Sequence, residues 1–143
     1  MIGGIIGRVR AHVEINRAVL IDLNINGRHN LGIILGKEDN TTTLLSIKNV
    51  FANANFTLQP DASNNLSEYF GYIAGNSDAK KITTENVYVT RVDGFAGNSK
   101  GNNDVKEILN TLEEVNPNFF EIKLPSIYQS AYWEVKDGML ILK

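Results

Sequence analysis

The sequence predicts a mainly β chain: a short stack of β-coils, followed by one α-helix and a C-terminal β-hairpin that caps the stack. Three observations predict it. A phrase of Gly, three residues and Gly recurs at Gly3-Gly4-Ile5-Ile6-Gly7, Gly32-Ile33-Ile34-Leu35-Gly36 and Gly71-Tyr72-Ile73-Ala74-Gly75. Each phrase is followed by a polar stretch and a β-rich segment, in units of roughly 30 to 40 residues, the range of stacked repeat architectures. Beyond residue 103 the apolar period becomes helical, and Asp137-Gly138 separates two apolar runs as a two-residue hairpin turn does.

In the first unit, Val9, Val13 and Ile15 alternate with polar residues and share one strand face, and residues 15–21 form the β-rich segment. The second unit places its β-rich segment at residues 47–52 and continues the alternation through Ala52-Asn53-Ala54-Asn55-Phe56-Thr57-Leu58. Gln59 to Asn65 reads as a loop inserted at one corner. The third β-rich segment is residues 82–89. The repeated glycines are expected at corners that need positive φ. A single unit cannot bury its apolar face, but stacking the next unit on it closes a continuous core. Leu66, Tyr69, Phe70 and Ile73 also have helical spacing, which suggests a turn of helix overlapping the third phrase.

An antiparallel meander competes with this reading. Asn26-Gly27 is a hairpin signal, and a three-residue loop over 25–27 would pair Ile21 with Leu31 and Val19 with Ile33. The self-similarity of the units favours stacked coils. Pairing direction decides: residues 31–35 lie parallel to 3–7 in a stack and antiparallel to 19–25 in a meander.

In the last third, Val105, Ile108, Leu109, Leu112 and Val115 form a helical stripe. Asp104 and Glu107 make a capping box before it, and Pro117 ends it. Residues 119–125 read as a strand. Residues 132–136 and 139–143 then pair across Asp137-Gly138, with Val135 facing Leu140 and Trp133 facing Leu142. The expected organisation is a β-repeat stack over 1–95 and a helix-plus-hairpin cap over 96–143, forming one domain overall.

Composition narrows the function. The chain has 143 residues, 43% of them apolar, and a formal net charge of −2, which argues against nucleic acid or an anionic membrane as main partner. No apolar run has the length of a membrane span. Cysteine is absent, which removes thiolate nucleophiles, disulfides and Cys-ligated zinc. Asparagine is abundant, and it either reflects genome composition or serves turns and hydrogen-bonded ladders in repetitive β-structure. No charged n-region or cleavage site accompanies the apolar start, so the chain is either cytoplasmic or a domain excised from a longer polypeptide.

Candidate chemistry is sparse. His12 and Glu14 share a strand face, but a catalytic zinc needs three protein ligands, and Arg8 and Arg10 make this a solvated polar face. Gly3-Gly4-x-x-Gly7 lacks the βαβ setting of a phosphate loop and reads as a corner. Asp22, Glu85 and Asp93 are carboxylates without a visible pairing. Residues 93–103 read as a flexible linker between stack and cap, and Trp133 as a core anchor. No catalytic, cofactor-binding or metal-ligating residue is assigned. The candidate partner contacts are the loop-borne Tyr69, Arg91, Phe95 and Lys100.

The Gly-Gly-Ile-Ile-Gly and Tyr-Ile-Ala-Gly-Asn phrases, each followed by an Ile…Asn-Val-Tyr/Phe-Val type strand, resemble GLUG-type repeats of bacterial surface proteins. The pattern is most similar to the repeat region of streptococcal immunoglobulin A-specific zinc metalloproteases and related zinc metalloproteases. Trp133, Gly138, Leu140, Leu142 and Lys143 echo the Gly-x-Leu-Pro-x-Leu-Lys-like ending of those regions, without its Pro and one residue shorter. The resemblance covers about residues 1–93 and 119–143, by the repeat criterion. It implies a right-handed parallel β-helix and an extracellular or cell-wall location in a Gram-positive bacterium. It also implies a non-catalytic domain that scaffolds the protease and positions its substrate. The implied partners are other domains of the parent protease and immunoglobulin A, with zinc held only in the parent's catalytic domain. His-Glu-x-x-His is absent here, so this chain does not carry that zinc chemistry. The alternative from another class is a structural or adhesive subunit of a bacterial surface or virion assembly.

Overall fold

Three successive segments of the chain each lay one strand into each of three parallel sheets. The computed structural model describes residues 2–38, 44–59, 70–76, 82–90, 105–109, 117–128, 132–136 and 139–143. The first coil comprises β1 (Ile2–Gly3), β2 (Ile6–Val9) and β3 (Val13–Gly27). The second comprises β4 (Leu31–Gly32), β5 (Leu35–Glu38) and β6 (Leu45–Leu58), and the third β7 (Phe70–Gly71), β8 (Ala74–Asn76) and β9 (Ile82–Thr90). The sheets run β1-β4-β7, β2-β5-β8 and, in the long sheet, β3-β6-β9 followed by β10 (Glu107–Leu109).

Pairing direction decides between the two expected topologies. Ile2 lies opposite Leu31 and Ile6 opposite Leu35, both parallel. The antiparallel meander is therefore excluded, and Asn26-Gly27 makes no hairpin: Asn26 continues β3 opposite Thr57.

Register explains why the glycine phrase repeats. Gly3, Gly32 and Gly71 stand in one column. A Cβ on Gly3 would sit 2.1 Å from the Ile6 carbonyl oxygen and 2.6 Å from the Gly36 nitrogen of the next coil. A Cβ on Gly32 would sit 2.1 Å from the Leu35 oxygen and 2.9 Å from the Gly75 nitrogen. These glycines serve close backbone approach, within and between coils. The expected positive φ is not found at Gly3 or Gly32; among non-glycine residues, it occurs at Arg17, Asp22, Asn30, Asn49 and Asn86. Three of these, Arg17, Asn49 and Asn86, occupy one stacked corner of the long sheet, flanked by the in-register sets Asn16, Lys48, Glu85 and Ala18, Val50, Val87. Asparagine tolerates the left-handed conformation better than most residues because its short polar side chain bonds locally.

Alternation on either side of that corner builds two cores. Ile15 and Ile47, Val50 and Val87, Ala52 and Val89 point into the stack with Leu31, Ile33, Ile34, Leu35 and Ile73. Phe51 and Tyr88, in register with Val19, lie on the opposite face of the long sheet.

The last third corrects two expectations. The helix expected near 104–115 is not formed by residues 105–109: Glu107–Leu109 is β10, parallel to β9. Residues 104 and 110–115 lie outside the described residues. Ile108 packs on the inner core and Leu109 on the outer one, so neighbouring side chains go to opposite faces, as a strand requires. The strand expected over 119–125 is instead α1 (Pro117–Lys123). Phe119, Phe120 and Leu124 are buried while Ile122 is 74% exposed, the i, i+4 pattern of a helix. Pro117 opens this helix, at a position where the missing N–H is not needed. The turn of helix expected around Leu66 to Ile73 is absent from residues 70–73, where Phe70 and Gly71 form β7; Leu66 and Tyr69 lie outside the described residues.

Helix α1 lies on a face of the stack. Phe119 and Phe120 meet Phe51 edge-on at 5.8 and 5.5 Å between ring centroids, and Phe119 meets Tyr88 at 5.3 Å. Lys123 Nζ lies 3.2 Å from Glu107 Oε2, tying the helix to β10. The strand that extends the stack beyond β9 is β10, so stack and C-terminal third share the long sheet and its outer core. Finally, β11 (Trp133–Lys136) and β12 (Met139–Leu142) pair antiparallel, with Trp133 opposite Leu142 and Val135 opposite Leu140.

Candidate functional site

The polar residues with the most defined geometry form two ladders that run across the coils. In the first, Asn86 Nδ2 donates to Asn49 Oδ1 at 3.1 Å, and Asn49 Nδ2 donates to Asn16 Oδ1 at 3.0 Å. In the second, Thr90 Oγ1 donates to Asn53 Oδ1 at 3.0 Å, and Asn53 Nδ2 reaches Asp22 Oδ1 at 3.5 Å. The first ladder begins beside the positive-φ Arg17 of β3, and the second begins at Asp22, which itself has positive φ. Asn53 and Thr90 are buried, so their mutual hydrogen bond offsets the desolvation of both groups.

A groove of about 460 Å³ opens where β2 turns into β3, lined by His12, Val13, Glu14, Leu44, Leu45, Ser46 and Thr83. Glu14, Ser46 and Thr83 stand in register along it. His12 is exposed, and its Nδ1 accepts from the Leu44 N–H at 3.1 Å. That bond assigns Nδ1 as acceptor, so a neutral His12 carries its proton on Nε2. The Thr83 hydroxyl donates to the Leu45 carbonyl at 3.5 Å. A second cleft, of about 340 Å³, is lined by Thr84, Glu85, Asn86, Val87, Val105 and Lys106.

Of the carboxylates named from the sequence, Asp22 and Glu85 are not brought together. Asp22 belongs to the Asn53 ladder, whereas Glu85 pairs with Lys48 at 3.6 Å in a different column. Among the described residues, no group of three or more His, Cys, Asp or Glu is placed to hold a metal ion. His29 is exposed in the short link between the first and second coils. Trp133 is partly buried against the outer core. Tyr69, Arg91, Phe95, Lys100 and Asp93 lie outside the described residues, as does the 93–103 linker. Among the described residues no helix is long and apolar enough to cross a membrane.

Sequence reading alone did not find the groove, because Leu44, Ser46 and Thr83 join His12 only through interstrand register. The asparagine ladder left a partial signal: Asn49 and Asn86 each stand four residues after the start of their strands, whereas Asn16 lies one position ahead of the equivalent residue, Arg17. No family model, no curated protein and no solved structure matches the chain.

Proposed function

We propose that this chain is a non-catalytic scaffold domain, built as a short right-handed parallel β-helix. The observation that carries the reading is the pair of side-chain ladders. Asn16, Asn49 and Asn86, like Asp22, Asn53 and Thr90, bond to one another from coil to coil. Polar groups used in this way hold coils in register and make the stack rigid, which suits a domain that keeps other parts of an assembly in place. The resemblance to GLUG-type repeats supplies the setting: a secreted or wall-attached zinc metalloprotease acting on immunoglobulin A. There the domain supports the catalytic unit and provides contacts far from the scissile bond, which orient a large antibody.

Binding and turnover by the isolated chain test this. Immobilised chain is titrated with intact immunoglobulin A, and the antibody and a hinge peptide are then assayed for cleavage with and without added zinc. Saturable binding without cleavage is expected. Cleavage of either substrate would overturn the scaffold role, and absence of binding would overturn the positioning role.

A further inference from the structure

The two ends of the stack are not alike. Ile5, Ile34 and Ile73 are equivalent residues of the three glycine phrases. Ile34 and Ile73 are fully buried, whereas Ile5 is 40% exposed. In the third coil Gly71, Tyr72, Ile73, Ala74 and Gly75 are all buried; in the first, Gly4, Ile5 and Gly7 are exposed. The inward-facing Val13, Ala18, Leu20 and Leu23 of β3 are only partly buried, although Leu45, Val50, Ala52 and Ala54 opposite them in β6 are buried. The first coil thus presents an open apolar mouth, rimmed by the long edge strand β3.

The backbone at the glycine corner gives that mouth a polarity. The N–H groups of Gly4, Ile5 and Ile6 donate to the Ile33 and Ile34 carbonyls, and those of Ile34 and Leu35 donate to the Ile73 carbonyl. At this corner, therefore, the first and second coils point N–H groups at the following coil, and the second and third point carbonyls at the preceding one. By equivalence with Ile33 and Ile34, whose carbonyls face the first coil, the Gly4 and Ile5 carbonyls face outward. The asparagine ladder has the same sense: each amide nitrogen points to the preceding coil, so Asn16 Nδ2 faces the open side.

We infer that this end is a docking face for the C-terminal side of a further parallel β-coil of the same pattern, on another stretch of polypeptide. The inference rests on the β-helix reading above. The partner coil has N–H groups at its corner to meet the Gly4 and Ile5 carbonyls. It has glycine in the Gly3 column, where a side chain would strike the backbone of the coil below it as at Gly3 and Gly32. It also has a side-chain acceptor for Asn16 Nδ2, and apolar residues over Val13, Ala18, Leu20 and Leu23. A second copy of this chain does not supply these features. Its own open end would set carbonyls against carbonyls at the corner, and its third-coil corner is already buried.

The test adds such a coil to the full chain. Gly27 and Leu58 are in register, and residues 28–30 link the first coil to the second. A coil with the sequence of residues 31–58, followed by that of 28–30, is therefore fused ahead of Ile2. Amide exchange in β3 is expected to slow by about tenfold or more, as edge groups gain partners. An extension whose added copies of Gly32 and Gly36 are both valine is expected to give no slowing. Equal exchange with and without the intact added coil, or equal slowing by both extensions, would overturn the inference. So would an unextended chain that is a stable dimer by light scattering and remains one after extension. A Glu14→Cys/Ser46→Cys disulfide, formed in the same fusion, reports the native stack separately. Its formation with unchanged β3 exchange rejects the docking face alone, and its absence rejects the underlying fold reading.

Discussion

Asn49 combines the two demands of the stacked corner. Its φ is 53°, and its side chain both accepts from Asn86 and donates to Asn16. Asn49→Ala removes both hydrogen bonds, each worth about 1 kcal/mol net, and places a Cβ residue without local bonding in a left-handed conformation that costs about 1 kcal/mol more. The expected loss in urea denaturation is therefore about 2–3 kcal/mol. Asn49→Gly keeps the backbone conformation accessible and loses only the hydrogen bonds, so its loss is smaller by about 1 kcal/mol. Equal losses for the two variants would contradict the backbone part of the account. At Gly32 the constraint is space: an added Cβ meets three backbone atoms, of Leu35, Ala74 and Gly75, that cannot rotate away. Gly32→Ala is expected to cost roughly 3 kcal/mol or more, seen as a lower urea midpoint. The glycine spacing was legible in the sequence, but its reason was not. A repeated Gly reads equally well as positive φ or as close approach, and only the neighbouring coil, far away in sequence, distinguishes them.

At the scale of elements, long-range pairing replaces local preference. Residues 105–109 carry a helical stripe, yet β9 offers an open edge and two separate cores, and a three-residue strand fills both with Ile108 and Leu109. Residues 119–125 look extended because Phe119, Phe120 and Ile122 are strong strand formers, but Phe51 and Tyr88 present a surface that takes two adjacent aromatic rings from one helical face. The helix has only seven residues, too short to be stable alone, so its aromatic contacts hold it. Phe120→Ala, at a fully buried ring, is expected to cost about 3–5 kcal/mol and to release α1 from the sheet, measured by calorimetry and by exchange of the α1 amides. Ile122→Ser, on the exposed side, is expected to stay within about 0.5 kcal/mol of the parent protein. The groove at His12 was not legible for a related reason. Its wall residues come from three different coils, on β3, β6 and β9 and the residues just ahead of β3 and β6, so no local motif contains them.

For the whole molecule, the parallel stack was legible because its evidence is itself long-range. Three glycine phrases, each followed by a β-rich segment, leave one arrangement in which equivalent residues meet: Gly3 beside Gly32 beside Gly71, and Asn49 beside Asn86. Core, ladders and glycine columns all depend on this in-register parallel stacking. The absence of cysteine gives a clean background for testing it by disulfide trapping. Glu14 and Ser46 are direct neighbours in the parallel register. Adjacent strands lie about 4.8 Å apart, within the Cα separation a disulfide accepts. In the antiparallel alternative, Asp22 would lie opposite Asn30 instead. The most direct measurement is therefore the rate and yield of disulfide formation under mild oxidation in Glu14→Cys/Ser46→Cys, compared with Asp22→Cys/Asn30→Cys. Rapid, near-complete cross-linking of the first pair and little of the second is the predicted result; the reverse order would contradict the stack.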